Sequence, residues 1–208
     1  MKIQNNSTFL FQGDSVTDAG RDRKDPVGLG NGYPMMFASW FSAYYPNLDV
    51  KFINKGISGN RVKDLEARWQ KDCLKLKPAW VSILIGINDC WRRYDSNDPT
   101  SVEKFEAGYR NILTQIRENL DAKIILCEPF VLPVPADLKK WREDLDPKIN
   151  AVRNLAREFQ TYLVPLDGIF AQASIAKPSS FWAQDGVHPT LAGHALIAKS
   201  IFDLVESV

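Results

Sequence analysis

Apolar residues collect in five short runs, at 8–12, 50–54, 80–85, 123–127 and 162–166. Runs of this length, bounded by turn-forming residues, predict strands. Between them lie segments with helical spacing, at 34–45, 62–76, 102–120, 147–160 and 191–205. In the second of these, Val62, Leu65, Trp69 and Leu76 fall on one face; in the last, Leu191, Ala195, Ile201 and Val205 are the expected buried positions. The stretch 22–32, rich in Gly and charge, is expected to be a loop, and 130–146, rich in Pro and charge, a loop or short helix. Strands alternating with helices imply an α/β fold, a parallel sheet covered on both faces. No composition break divides the chain, so one domain spanning 1–208 is expected.

Composition narrows the function classes. The chain is 45% hydrophobic, enough for a full core without a disulfide or metal staple. With 26 basic and 25 acidic residues it has no electrostatic footprint for nucleic acid or an anionic membrane. The first eight residues are polar and leave no room for an apolar leader, and no apolar run approaches bilayer length, so a cytoplasmic protein is expected. Cys73, Cys90 and Cys127 are odd in number and lack CxxC spacing, which fits reduced thiols. Cys90 lies beside a motif, and a reactive role there would need an electropositive setting. The Gly28-Leu29-Gly30-Asn31-Gly32 run does not fit GxGxxG and follows no strand, so no dinucleotide site is expected.

In parallel sheets ligands bind beyond the carboxyl ends of the strands. Unusual segments stand there. After the first strand comes Gly13-Asp14-Ser15-Val16-Thr17-Asp18, where Ser15 opens the next segment with its hydroxyl over the sheet. After the second comes Asn54-Lys55-Gly56-Ile57-Ser58-Gly59-Asn60, whose glycines permit close backbone approach. After the third comes Gly86-Ile87-Asn88-Asp89: the Asn88 amide can donate to a developing oxyanion, and Asp89 can cap or brace the loop. Before the last helix comes Asp185-Gly186-Val187-His188, a spacing that can set a carboxylate on one ring nitrogen and leave the other for a nucleophile. Each segment alone is equally an ordinary turn or cap, with Asn60 a candidate N-cap. Together they supply a nucleophile, a base, an orienting carboxylate and oxyanion donors, the parts acyl transfer needs. The chain has two histidines; His194 falls inside the last helix and reads as a packing or capping residue.

These four segments, in order, resemble the blocks of the SGNH (GDSL-like) hydrolases, with Ser15, Gly59, Asn88 and His188 at the four eponymous positions. The resemblance implies a flavodoxin-like three-layer α/β/α sandwich on a five-stranded parallel sheet, and pairing of Asp185 with His188. It implies Ser15 as nucleophile and an oxyanion hole formed by Ser15, Gly59 and Asn88. In finer detail, 54–60, Ala67-Arg68-Trp69 and Gly86-Ile87-Asn88-Asp89-Cys90-Trp91-Arg92 are similar to intracellular acetylxylan esterases of this family. The implied substrate is a small-molecule ester carrying a short acyl group, chiefly acetyl, on a sugar such as a xylo-oligosaccharide.

Tyr33, Trp91, Arg92 and Trp182 are candidate substrate contacts, since aromatic faces stack on sugars, although Trp and Tyr are also ordinary core residues. No cofactor is expected, and no metal, because histidines six apart lack zinc-site spacing. A lysophospholipase or thioesterase, and a non-catalytic flavodoxin-like binding module, stay open as alternatives. Homo-oligomerisation is likewise open.

Overall fold

The structure is a computed structural model and describes residues 3–208. In chain order its elements are β1 (Ser7–Gly13), α1 (Ser15–Asp18), α2 (Tyr33–Tyr44), β2 (Val50–Asn54), α3 (Val62–Asp72), β3 (Trp80–Leu84), α4 (Ile87–Asp95), α5 (Val102–Asn119), β4 (Lys123–Cys127), α6 (Arg142–Glu158), β5 (Tyr162–Val164), α7 (Leu166–Ala176), α8 (Ser179–Trp182) and α9 (Leu191–Ser207). Short 3₁₀ turns at Leu74–Leu76 and Ala136–Trp141 complete it.

The strands form one parallel sheet in the order β2-β1-β3-β4-β5, with Phe9 opposite both Phe52 and Trp80. Strand alternation divides the core. Phe9, Phe11, Trp80, Ile125 and Cys127 face α2, α7 and α9. Leu10, Val81, Ile83, Ile124 and Leu126 face α3, α5 and α6. This gives the expected three-layer α/β/α sandwich. Side chains tie neighbouring helices within a layer: Trp69 on α3 is fully buried, and its indole N–H donates to the Ile112 carbonyl on α5 at 3.0 Å. Aromatic burial is densest behind β1, where the Phe9 ring lies 4.8 Å from both the Phe11 and the Phe37 ring.

Strand order reverses beside β1: the chain goes one way to β2 and the other way to β3. The carboxyl ends of β1 and β3 therefore border a topological switch point, where doubly wound sheets bind ligands. The segments carrying Ser15 and Asn88 leave the sheet there.

Two helices are unexpected, and two expected ones need correction. Residues 87–95 form a helix, α4, of which Ile87, Asn88, Asp89 and Cys90 are buried. Residues 166–176 form α7, with Leu166 buried at its start rather than ending a strand. The helix expected from Pro147 begins at Arg142 and runs through the proline. Leu145, Ile149, Val152 and Leu155 are buried while Pro147 is exposed, and that burial outweighs the roughly 3 kcal/mol an interior proline costs. On α9 the buried stripe is His194, Ile197, Ala198, Ile201 and Val205; Ala195 is half-buried, and Leu191, 72% exposed, stands in the first turn at the His188 end. No helix among the described residues is long and apolar enough to cross a membrane.

The proline in α6 makes a direct test. Pro147→Ala restores an N–H that can reach the Glu143 carbonyl one turn back. The expected gain in urea-unfolding free energy is about 1–2 kcal/mol, less than the full proline penalty because alanine frees the unfolded chain. No gain would show that the first turns of α6 are already relaxed around the proline.

Candidate active site

β1 ends at Gly13, where there is no space for a side chain: a Cβ would stand 2.4 Å from the Leu84 carbonyl and 2.2 Å from the Thr17 hydroxyl. The turn is thus pressed against the end of β3. Asp14 caps the single turn α1, its carboxylate accepting the Val16 N–H at 3.0 Å. Ser15 opens α1, as expected.

The Ser15 Oγ lies 2.9 Å from His188 Nε2, and His188 Nδ1 lies 2.6 Å from Asp185 Oδ2. The other Asp185 oxygen accepts the backbone N–H groups of His188 at 2.7 Å and Val187 at 3.0 Å. Burial pushes the Asp185 carboxyl up, but these hydrogen bonds, the His188 ring foremost, outweigh it and hold the pKa below the usual carboxylate value. An ionised Asp185 can only accept, so Nδ1 carries the ring proton and Nε2 is left to accept from Ser15. The pair is open to solvent, with side-chain exposures of 45% for His188 and 50% for Asp185.

The second segment reaches the same point. β2–β1 pairing continues beyond the strands, through Lys55 N–H to Phe11 O at 2.8 Å and Ile57 N–H to Gly13 O at 3.1 Å. The Asp18 carboxylate, buried in α1, accepts the Ser58 N–H at 3.0 Å and pairs with Arg23 at 2.6 Å. Gly59 sits at φ +84°, in the left-handed region, facing open space. The N-cap of α3 is Arg61 rather than Asn60; the Asn60 side chain instead accepts from Arg68 at 2.9 Å.

The third segment closes the site. Asn88 Nδ2 donates to the Asn60 carbonyl at 3.1 Å, and Arg92 donates to Asn88 Oδ1 at 3.4 Å. Arg92 is itself paired with Asp95. Asp89 braces the loop as expected, accepting the Val62 N–H that opens α3 at 3.1 Å. Burial pushes its pKa up to about 7, against the pull of that N–H and of Lys148 and Arg61. Burial likewise raises Asp14 to about 7.

Of the four candidate substrate contacts, two adjoin the site. The Trp91 ring is 5.9 Å from the His188 ring, and Arg92 lies over Trp91 and on Asn88. Tyr33 does not adjoin it: it is fully buried, with its hydroxyl 2.9 Å from that of Thr17. Trp182 is half-buried against the core, and its neighbour Phe181 is the exposed aromatic beside His188. His194 behaves as a buried capping residue, its Nδ1 accepting the Tyr33 N–H at 3.2 Å at the start of α2. Burial lowers its pKa to about 4 and keeps it neutral. Cys90 is buried, its thiol pushed up to about 12 by burial, which makes it unreactive.

Sequence reasoning missed the charged wall. A cleft of about 600 Å³ is lined by Ser15, Asp18, Arg21, Arg23, Ser58 and His188. A second, about 750 Å³, lies on the other side of His188 against Phe181, Gln184 and Leu191. The signal was present in the charged 21–25 stretch directly after the Ser15 turn.

The model of the GDSL-like lipase/acylhydrolase family matches residues 11–196. The chain belongs to this family. It is 36% identical to an acetylxylan esterase of Geobacillus stearothermophilus, over 96% of this chain and 94% of that enzyme. A crystal structure of that esterase superposes with a TM-score of 0.90 at 36% identity, covering 98% of this chain and 95% of the other. A lipase-like GDSL protein of Parabacteroides merdae superposes with a TM-score of 0.95 at 37% identity, covering 99% and 98%. Catalytic mutants of the Geobacillus esterase replace a serine, an aspartate and a histidine by alanine. This GDSL-family chain is a serine ester hydrolase, and the reading as a non-catalytic module is set aside.

The raised pKa of Asp89 has a consequence for stability. From about pH 4 to 7 the unfolded chain ionises Asp89 while the folded chain keeps it protonated, so folding loses stability as pH rises, on the order of 1 kcal/mol per pH unit. Asp89→Asn keeps an acceptor for the Val62 N–H and removes the titration. Its melting temperature should rise relative to wild type as pH goes from 4 to 7. A constant difference across that range would contradict the assignment.

Proposed function

We propose that Ser15, His188 and Asp185 are the catalytic triad and that the enzyme removes acetyl groups from xylo-oligosaccharides or related sugars. The unbroken contact from Ser15 Oγ through the imidazole to Asp185 carries this reading. His188 Nε2 takes the Ser15 proton as Oγ attacks the ester carbonyl. Asp185 holds the Nδ1 proton and stabilises the imidazolium. The oxyanion sits among the backbone N–H groups of Ser15 and Gly59 and the free N–H of the Asn88 amide. The intermediate collapses, the carbon–oxygen ester bond breaks, and the alcohol leaves with the proton from His188. Water, deprotonated by His188, then releases the acid and regenerates Ser15.

The acetylated-sugar substrate rests on the related esterase and on the lining of the clefts. Arg21, Arg23, Asp18 and Ser58 offer hydrogen bonds to hydroxyl groups, while Trp91 and Phe181 offer aromatic faces. Such walls suit a polyhydroxylated alcohol better than the long chain of a lysophospholipid or thioester. The whole chain acts as one hydrolase domain on this reading. A cytoplasmic location belongs to the same proposal, and fits three buried, unpaired cysteines.

Ser15→Ala and His188→Ala should each reduce kcat on the order of 10⁴-fold or more with the fold retained, whereas His194→Ala should act mainly on stability. A Ser15→Ala enzyme with a tenth of wild-type turnover would falsify the nucleophile assignment.

Substrate class has its own test. Acetyl preference requires a short, closed acyl pocket, since each methylene is worth only about 1–3 kcal/mol. On p-nitrophenyl esters, kcat/KM for the acetate should exceed that for the octanoate by at least roughly 10²-fold. Acetate release from acetylated xylo-oligosaccharides should also outpace turnover of lysophospholipid. Equal rates on the two aryl esters, or faster lysophospholipid turnover, would leave the esterase chemistry standing and remove the sugar substrate.

A further inference from the structure

Arg68, on α3, is mostly buried and touches none of the triad residues, yet its guanidinium collects acceptors from the first two of the segments that frame the site. Nε donates to Asn60 Oδ1 at 2.9 Å. Nη1 donates to Gln12 Oε1 at 3.1 Å and to Asp72 Oδ2 at 3.2 Å. Nη2 donates to the Gly13 carbonyl at 3.3 Å. Gln12 is turned the right way for this by its own amide, which donates to the Asp72 carbonyl at 2.7 Å. Arg68 thus holds the residue two before Ser15 and the residue directly after Gly59. The carbonyl of that second residue, Asn60, is the acceptor that orients the Asn88 amide.

We infer that Arg68 is the positioning residue of the oxyanion hole, fixing the spacing of the Ser15, Gly59 and Asn88 donors from beneath; the inference rests on the oxyanion assignment made above. Three features of the geometry support it. The three donors come from loops following three different strands, so the ladder of one strand pair cannot set their mutual distance. The Gly13 carbonyl already accepts the Ile57 N–H, so Arg68 adds a second grip at the seam between the first two loops. The acceptors surround the guanidinium at different angles, a demand met by the planar fork of arginine and not by a lysine ammonium. Asp72 supplies the compensating negative charge, with Lys55 Nζ 3.8 Å from its other oxygen. Small displacements matter here because an oxyanion donor works only within hydrogen-bond range of the developing charge.

The test is a double-mutant cycle with kcat, KM and melting temperature read for each enzyme on p-nitrophenyl acetate, well below the transition. Arg68→Lys keeps the charge beside Asp72 but cannot span the acceptors. It should lower kcat by about 10-fold or more while KM moves less than about threefold. In an Asn88→Ala background the same change should cost several-fold less than in wild type, since one of the three donors whose spacing it sets is already gone. Asn60→Ala, which releases one grip and leaves Arg68 in place, should reproduce part of the kcat loss and serves if Arg68→Lys does not fold. Full additivity of Arg68→Lys with Asn88→Ala, or normal kcat in both Arg68→Lys and Asn60→Ala, would overturn the positioning role alone. An Asn88→Ala enzyme with unchanged kcat would remove the oxyanion assignment, and the inference with it.

Discussion

The close approach of the Gly13 backbone to the end of β3 is the constraint on which the site depends. With the Leu84 carbonyl 2.4 Å from where a Cβ would stand, the chain leaves β1 pressed against the end of β3, at the seam between the two strands. That seam is the switch point of the sheet, so Ser15 is delivered to the place where loops from both sides of the reversal can meet. The rest follows from proximity. The second loop extends the β1–β2 ladder as far as Ile57, and Asn88 lies in the first turn of α4 directly beyond β3. A side chain at position 13 would push α1 off the sheet and separate Ser15 from both neighbours.

The polar groups around this seam are treated in two ways. Beneath it, Asp14 and Asp89 are buried, and burial raises both toward neutrality. They cap α1 and α3 as carboxyls that burial makes reluctant to ionise. Asp72 is instead matched with Arg68, and Asp18 with Arg23. Above the seam, Asp185 and His188 stand half in water, where protons can exchange with solvent. On the proposed mechanism the exposed layer holds the one side chain that cycles as base and acid, His188.

The strands were legible because a parallel strand covered on both faces must be apolar throughout, and such runs stand out between charged helices. The four chemical segments were legible for the complementary reason: Asp14, Ser15 and Asn88 interrupt that apolarity at strand ends, and Asp185 and His188 stand just before the last helix, where nothing in the core calls for polar residues. α4 was not legible, because Asn88, Asp89, Arg92, Arg93 and Asp95 mask its few apolar positions and its buried face is largely polar. Pro147 misled by local preference, which the buried stripe of α6 overrides. Tyr33 and Trp182 misled because aromatic type does not distinguish a core wall from a cleft wall. Only packing separates Tyr33, fully enclosed, from Phe181, 45% exposed beside His188. Arg68 sat in a segment that sequence similarity had marked, but its role depends on contacts up to fifty-six positions away.

Proton direction links the two halves of the site. Asp185 and the Asn60 carbonyl can only accept, and Arg92 can only donate. From Asp185 the direction passes through the imidazole, leaving a lone pair on Nε2 that faces the Ser15 hydroxyl. Arg92 on the oxygen of Asn88 and the Asn60 carbonyl on its nitrogen fix the amide flip, which leaves one N–H to serve as the proposed oxyanion donor. On the proposed mechanism these are the two demands of the first step, a base for the nucleophile and donors for the oxyanion. Both are met before substrate arrives, by groups whose polarity cannot invert. On the inference made for Arg68, Asn60 and Arg92 set the direction of the Asn88 donor and Asp185 that of the base, while the distances between donors come from the guanidinium joining Gly13 to Asn60. Direction without distance would leave correctly oriented hydrogens out of reach of the developing charge, so on this proposal the buried arginine and the exposed Ser15, His188 and Asp185 are two parts of one requirement.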